Sequence, residues 1–99
     1  MWPKSPNNAI FRNKRNKKWF AVLFLDFPQN LFKSNKNERK DVINLKADPM
    51  DIANLIDEKN FFPAYHMNKE HWVSVTIDEN LSLHTLISLV DISYNIVDN

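Results

Sequence analysis

Residues 42–57 read VINLKADPMDIANLID, and within them the spacing of apolar side chains changes from every second position to every third or fourth. Side chains alternate between the two faces of a strand, so Ile43 and Leu45 share one face and are expected to point inward. The other face then carries Val42, Asn44 and Lys46. The first part of this stretch therefore predicts a strand over residues 42–46.

A helix is expected to follow this strand directly. Asp48 provides an N-cap acceptor, and Pro49 is pre-set for the first helical position. Helical spacing places three apolar residues on the core side, namely Ile52, Leu55 and Ile56. We expect this helix to end near Asn60.

Upstream, a strand over Ala9–Arg12 and a stronger strand over Lys18–Asp26 flank a polar turn, which predicts a β-hairpin. Residues 27–41 contain a proline and mixed charges, and are expected to form a loop that leads into the third strand. The chain has no glycine. Turn positions with positive φ are therefore expected to use asparagine or aspartate, within residues 13–16 and 35–37.

Downstream, the pattern predicts strands over Pro63–His66 and Trp72–Ile77, joined by residues 67–71. A last helix is expected to begin near Asn80 or Ser82 and to run to about Val97. Its apolar stripe consists of Leu83, Leu86, Ile87, Val90, Tyr94 and Val97, widened by Leu89, Ile92 and Ile96. The predicted order is β-β-β-α-β-β-α, an α+β fold in which an antiparallel sheet of about five strands is backed by helices.

Size and composition indicate a single domain over residues 1–99. There is no cysteine, which excludes disulfides and thiolate metal sites. The first residues lack the apolar core of a signal peptide, and the longest apolar run, residues 19–25, is far shorter than the roughly 20 residues of a membrane helix. We therefore expect a cytoplasmic protein that does not contact a membrane.

Charge is distributed unevenly along the chain, although the net charge is only +1. Residues 1–46 contain eleven Lys and Arg and three acids, whereas residues 47–99 contain two Lys and nine acids, giving +8 and −7. A basic half favours a polyanion partner such as DNA. The candidate phosphate contacts in the first basic loop are Arg12, Lys14, Arg15, Lys17 and Lys18, and those in the second are Lys33, Lys36, Arg39 and Lys40. The alternative is that both loops are merely solvated.

Residues 63–72 read PAYHMNKEHW and concentrate side chains that are common in functional sites. His66 and His71, with Glu70, suggest a metal site, but zinc needs at least three protein ligands, and His84 lies far away in the last helix. An acid–base role for Tyr65 or the histidines lacks an accompanying nucleophile motif or phosphate loop. We therefore predict no metal, no cofactor and no catalytic residue, and expect the histidines to fix the turn.

The same segment contains candidates for binding. Asn68 and Lys69 fit either an ordinary turn or contacts with phosphate. Strand alternation puts Trp72 on the face opposite Val73, Val75 and Ile77, where Lys46 is a possible neighbour. This face could stack a base or hold a peptide, or Trp72 could be covered by Tyr65, Trp19 or a terminal segment.

Several blocks in this order resemble the YjbR/MmcQ family. They are Trp2-Pro3, Ala9–Arg12, Lys18–Leu23, Ile43–Pro49, Pro63–Val75 and Ser93-Tyr94. The specific ones are Asn-Leu-Lys-x-Asp-Pro from Asn44 and Tyr-His-Met-Asn-Lys-x-His-Trp from Tyr65. The resemblance implies a sheet backed by helices, called a double wing or CyaY-like fold, and a role in DNA binding. It supplies no agreed catalytic residues. Members typically begin with a helix before the first strand, which we expect this sequence to lack.

Two hypotheses of function follow from these observations. The first is a non-enzymatic DNA-binding protein that uses the basic hairpin loops, Lys46, Asn68 and Lys69 on phosphates, with low sequence specificity. The second is a protein-interaction or chaperone-like module whose partner occupies an open sheet face around Trp72. The oligomeric state is not indicated by the sequence.

Overall fold

The computed structural model describes residues 8–28, 39–57, 59–65 and 67–98. Its elements confirm the predicted order and the α+β class. The strands are β1 (Asn8–Arg12), β2 (Trp19–Pro28), β3 (Arg39–Lys46), β4 (Phe61–Pro63) and β5 (Trp72–Ile77). The helices are α1 (Pro49–Leu55) and α2 (Leu83–Val97).

The five strands form one sheet in the order β1-β2-β3-β5-β4, and every neighbouring pair is antiparallel. β3 lies in the centre, where it pairs with β2 on one side and β5 on the other. The strand that precedes α1 is therefore the middle strand of the sheet. Residues 42–57 thus contain most of the central strand and the whole of the first helix.

Both helices begin at side-chain caps. The Asp48 carboxylate accepts the backbone N–H of Met50 at 3.0 Å, which confirms the predicted N-cap. The Ser82 hydroxyl accepts the backbone N–H of Thr85 at 3.0 Å, so α2 starts where the sequence predicted. Such caps satisfy N–H groups that have no partner within a helix.

The prediction that the first helix extends to about Asn60 was wrong, because α1 ends at Leu55. An Asp57 side-chain oxygen accepts the backbone N–H groups of Lys59, Asn60 and Phe61 at 2.8, 3.1 and 3.1 Å. Burial alone would raise the pKa of Asp57, but these hydrogen bonds hold it below its ordinary value. The chain is thus turned into β4 earlier than the apolar spacing suggests.

The fourth strand is also displaced from its predicted position. It covers Phe61–Pro63 rather than Pro63–His66, and His66 lies outside the described residues. After Pro63 the main chain leaves the ladder, since the Tyr65 N–H donates to the Ser74 side chain at 2.9 Å. Pairing instead extends in the other direction, where the Thr76 N–H donates to the Asn60 carbonyl at 2.8 Å.

Apolar side chains pack on both faces of the sheet. The larger cluster lies between the sheet and the helices and includes Ala21, Leu45, Val73 and Val75, with Ile52 of α1. The other cluster consists of Val22, Phe24 and Val42, against which Trp19, Tyr65 and Met67 pack. The sheet is therefore covered on two sides in its centre.

The predicted core stripe of α2 was partly wrong. Leu83, Ile87 and Tyr94 are 71%, 54% and 37% exposed. The face against the sheet is instead formed by Leu86, Leu89, Val90, Ser93 and Val97. Ser93 is buried in this face because its hydroxyl donates to the carbonyl of Lys46 at 2.7 Å or of Leu89 at 3.0 Å. Neither helix of the described part of the chain is long and apolar enough to cross a membrane.

Candidate functional site

Strand pairing brings many of the predicted site residues to one end of the sheet. Arg12, the last residue of β1, pairs with Trp19, the first of β2, and Lys46, the last of β3, pairs with Trp72, the first of β5. The turns at this end add the exposed side chains of Lys14, Lys17, Lys18, Lys69 and His71. We call this region the basic end of the sheet.

Each tryptophan at the basic end has a cation over its ring. The Arg12 Cζ lies 5.7 Å from the Trp19 ring centroid, and the Lys46 Nζ lies 5.2 Å from that of Trp72. Both distances are within the range of cation–π attraction. The cations are thereby held at the rim instead of sampling solvent freely.

Trp72 is only 6% exposed, which resolves whether it is open or covered. The residues that alternate with the inward valines are also inaccessible: Asn44, Ser74 and Thr76 are each 0% exposed. The prediction of an open sheet face was therefore wrong. The face is closed by the segment after β4, whose Tyr65 ring meets Phe24 edge-on at 6.1 Å.

Hydrogen bonds explain how polar side chains are tolerated in this closed face. The Asn44 amide donates to the Tyr65 carbonyl at 2.9 Å, and the Ser74 hydroxyl donates to the Asn44 side-chain oxygen. Ser74 in turn accepts the Tyr65 N–H. Buried polar groups with such partners do not incur the full cost of desolvation. We call Asn44, Tyr65 and Ser74 the buried amide network.

The turn between β1 and β2 is organised by Asn13. Its side-chain oxygen accepts the N–H groups of Arg15 and Asn16 at 2.8 and 3.2 Å, and the residue is fully buried. Among the described residues, positive φ occurs at Lys17, with a value of 64°, and not at an asparagine. That part of the turn prediction was wrong, while residues 35–37 lie outside the described ranges.

This turn is docked on the C-terminal end of α2. Arg15 donates to the Asp98 carboxylate at 2.7 Å and to the Asp98 carbonyl, and Asn13 donates to the same carboxylate at 2.8 Å. Asn16 donates to the Val97 carbonyl at 2.6 Å. The hydrogen bonds from Arg15 and Asn13 lower the pKa of Asp98. Arg15 therefore has a structural partner.

A pocket of about 410 Å³ opens at the basic end. It is lined by Lys18, Trp19, Lys46, Trp72, Ile96 and Val97. Two of its walls come from strand ends, and the third comes from the last turn of α2. Below we call it the end pocket.

The connection between β4 and β5 is an ordinary polar turn. The Asn68 side chain accepts the Glu70 N–H at 2.8 Å, and its carbonyl accepts the His71 N–H at 3.2 Å. The His71 carbonyl accepts the Ala47 N–H at 2.9 Å, which fixes the turn to the end of β3. Within the described ranges, no three His, Cys, Asp or Glu side chains are grouped so that they could hold a metal.

The second predicted basic loop lies largely outside the described residues, including Lys33 and Lys36. The backbone of Arg39 belongs to β3. Lys40 forms an ion pair with Asp78 at 2.8 Å, and Asp78 also accepts from Asn60 at 3.0 Å. Burial alone would raise the pKa of Asp78, but these hydrogen bonds hold it below its ordinary value. Lys40 is thus engaged within the fold.

Sequence reasoning missed the parts of the site that come from distant segments. Trp19 could have been included, since the hairpin register places it beside Arg12. Asn13 contacts Asp98 across 85 residues, and nothing in the local pattern indicates that contact. The same applies to Ile96 and Val97, which reach the strand ends only because α2 crosses the sheet.

The chain forms a small α+β domain. Its five-stranded antiparallel sheet has a basic end, and one helix follows the third strand in chain order while the other follows the fifth. The YjbR family model matches residues 1–96, and the chain belongs to this family. It is 33% identical over 95 residues to the uncharacterized protein YyaQ of Bacillus subtilis, covering 96% of this chain and 80% of that protein. It is 43% identical over 56 residues to the uncharacterized protein YbdF of Escherichia coli O157:H7, covering 56% and 46%.

Solved structures agree with this assignment. The crystal structure of a Pseudomonas syringae protein superposes with a TM-score of 0.86 at 39% identity, covering 96% of this chain and 80% of that one. A Deinococcus radiodurans protein has a TM-score of 0.68 at 23% identity, covering 98% and 65%, which supports the fold alone. None of these relatives carries a description of what it binds or catalyses.

Proposed function

We propose that the protein is a non-enzymatic, cytoplasmic nucleic-acid-binding protein whose basic end contacts the phosphates of duplex DNA with low sequence specificity. The observation that carries this proposal is the convergence of Arg12, Lys18 and Lys46 at one end of the sheet, beside Lys14 and Lys17 of the adjoining turn. Clustered Lys and Arg on one surface are the electrostatic footprint of a nucleic-acid partner.

The negative end of α2 points at this same region and would oppose an anion. Its charge is compensated within the fold. The Asn16 amide donates to the Val97 carbonyl, and Arg15 and Asn13 donate to the Asp98 carboxylate. Arg15 is thus used to neutralise the helix end, and the lysines around it remain available for an external phosphate.

The backbone at Lys17 supports a role for that side chain. A residue other than glycine at a φ of 64° costs about 1 kcal/mol relative to glycine. Strain of this kind is often retained where a side chain is needed for function. The Lys17 side chain is exposed, so it can contact a phosphate from this turn.

Low sequence specificity follows from the composition of the helices. Neither α1 nor α2 contains a Lys or Arg, and α1 has only seven residues. Reading base edges in the major groove usually relies on a helix or ribbon with basic and amide side chains. In the β1–β2 turn, the amides of Asn13 and Asn16 already donate to Asp98 and Val97. Contacts from turns and strand ends instead favour the phosphates, which carry no direct sequence information.

The test is a titration of a fluorescently labelled 20-base-pair duplex, followed by anisotropy, at a series of salt concentrations. If about four phosphates are contacted, the slope of log K against log salt is expected to be about −3.6, since each contributes about −0.9. Charge reversal of Lys14, Lys17 and Lys18 to Glu should abolish binding at moderate salt.

The matched control is Lys59→Glu. Lys59 is also an exposed lysine, but it precedes β4, and its neighbour Asn60 pairs with Thr76 near the opposite end of β5. It should reduce affinity far less than a single reversal at Lys18. No binding at low salt, or an equal loss in the control, would show that the proposal is wrong.

A further inference from the structure

The end pocket has two chemically different parts. Lys18 and Lys46 contribute two ammonium groups, whereas Trp19, Ile96 and Val97 contribute aromatic and aliphatic surface. The pocket has a volume of about 410 Å³ and is open to solvent. A ligand that fits both parts needs an anionic group attached to a flat, largely apolar group.

Trp72 belongs to the structural frame of the pocket and is not an open stacking surface. It is 6% exposed, and the Lys46 ammonium lies 5.2 Å from its ring centroid. This contact restrains the ammonium at the wall of the pocket. Trp19 is half-buried and has the Arg12 guanidinium over its ring. The part of Trp19 that remains exposed provides the more accessible aromatic wall, with Ile96 beside it.

The nearby helix end does not cancel the charge of the two lysines. The Val97 carbonyl accepts from Asn16, and the carboxylate of Asp98 accepts from Arg15 and Asn13. Among the described residues, the ion pairs recorded for lysines and arginines involve Arg15 and Lys40, neither of which lines the pocket. Lys18 and Lys46 can therefore attract an anion into it.

We propose that the end pocket binds one unpaired nucleotide, with its phosphate between Lys18 and Lys46 and its base against Ile96 and the exposed part of Trp19. This inference rests on the proposed function and refines its substrate class. A base that is paired and stacked in a duplex cannot enter a concave site without being extruded, at a cost of a few kcal/mol. Single strands and unpaired ends therefore bind better than a fully paired duplex.

The experiment compares a ten-nucleotide single strand of deoxythymidine, a ten-base-pair blunt duplex and free thymidine monophosphate, at one low salt concentration. Contact of one base with an aromatic wall typically changes affinity by between about fivefold and a hundredfold. The single strand should therefore bind at least fivefold more tightly than the duplex. Free thymidine monophosphate at high concentration should compete with the single strand, because the pocket is proposed to hold one nucleotide, and failure to compete would count against the inference.

Ile96→Phe is the variant that tests the pocket itself, because it fills apolar space without changing charge. It should lower single-strand affinity more than duplex affinity and so remove the preference for the single strand. Ile92→Phe is the matched control, since Ile92 is 50% exposed on the same helix and does not line the end pocket. This control should keep the preference.

Lys18→Gln provides a second test that does not depend on packing, because Lys18 is exposed. It should weaken single-strand binding more than Lys14→Gln does. Equal affinity for the two forms, unaffected by Ile96→Phe and Lys18→Gln, would overturn the inference while leaving the proposed function intact. Absence of binding to any of the polynucleotides would overturn the proposed function itself.

Discussion

Replacing Asn44 by alanine should strongly destabilise the fold, because this side chain joins β3 to the segment that covers the sheet. Asn44 is 0% exposed, donates to the Tyr65 carbonyl at 2.9 Å and accepts from the Ser74 hydroxyl. The substitution removes both bonds and leaves two buried polar groups without these partners. Each loss of this type costs about 1–3 kcal/mol, so we expect a decrease of about 3 kcal/mol in the free energy of unfolding.

The assay is urea denaturation followed by tryptophan fluorescence, which reports on Trp19 and Trp72. In a thermal melt of a domain of this size, a loss of about 3 kcal/mol in the free energy of unfolding corresponds to a decrease in Tm of about 10–25 °C. The matched control is Asn54→Ala. The Asn54 amide is exposed and bonds only to the Met50 carbonyl of its own helix, at 3.3 Å, so the change should stay within about 0.5 kcal/mol.

A double-mutant cycle separates the buried amide network from a simple loss of volume. Ser74→Ala alone should also be destabilising, because the Tyr65 N–H loses its acceptor. The double variant of Asn44 and Ser74 should be less destabilised than the sum of the single variants, by about 1 kcal/mol. Additive effects, or a decrease below about 1 kcal/mol for Asn44→Ala, would refute this account of the closed face.

Three further predictions concern stability. Asp48→Ala removes the N-cap of α1, and Ser82→Ala removes that of α2. Each substitution should lower the free energy of unfolding by about 1 kcal/mol in urea denaturation. An unchanged urea midpoint would contradict the capping role. Because the pKa of Asp78 is lowered in the fold, its ionised form stabilises the protein at pH values above the ordinary carboxyl pKa of about 3.9. This stability is lost as the pH falls through the folded-state pKa, so the free energy of unfolding should decline below about pH 4. Urea denaturation at a series of pH values should show a less steep decline for Asp78→Asn. Lys17→Gly should leave stability unchanged or raise it by up to about 1 kcal/mol while weakening duplex binding, whereas a large destabilisation would contradict the assignment of backbone strain.

Features with local causes could be predicted from the sequence. The caps at Asp48 and Ser82 depend on side chains within three residues of the helix start. The hairpin of β1 and β2 depends on two apolar runs around a short polar turn. Short connections between strands imply antiparallel pairing. Antiparallel pairing in turn places Arg12 and Lys46 at the same end of the sheet.

Features with distant causes could not be predicted. Alternation of polar and apolar residues in β3 and β5 suggested a solvated face, because Asn and Ser are usually exposed. In the fold, Asn44 and Ser74 are buried together, because they bond to each other and to the backbone of Tyr65. The bonded residues are separated by 9 to 30 positions in the sequence. Ser93 lies outside the predicted apolar stripe of α2 but is buried, because its hydroxyl is satisfied by a carbonyl of β3.

The residues that mark the family and the residues proposed to bind nucleic acid have different physical roles. The two specific sequence blocks contain Asn44 and Tyr65, which build the closed face, and Asn68, which shapes its turn. Such side chains tolerate few substitutions because buried donors and acceptors must remain paired. Exposed lysines such as Lys14 and Lys17 act through their charge, because neutralisation of phosphates does not depend on the base sequence. The two blocks therefore specify how the sheet is closed, whereas the proposed binding depends on the distribution of charge around the end pocket.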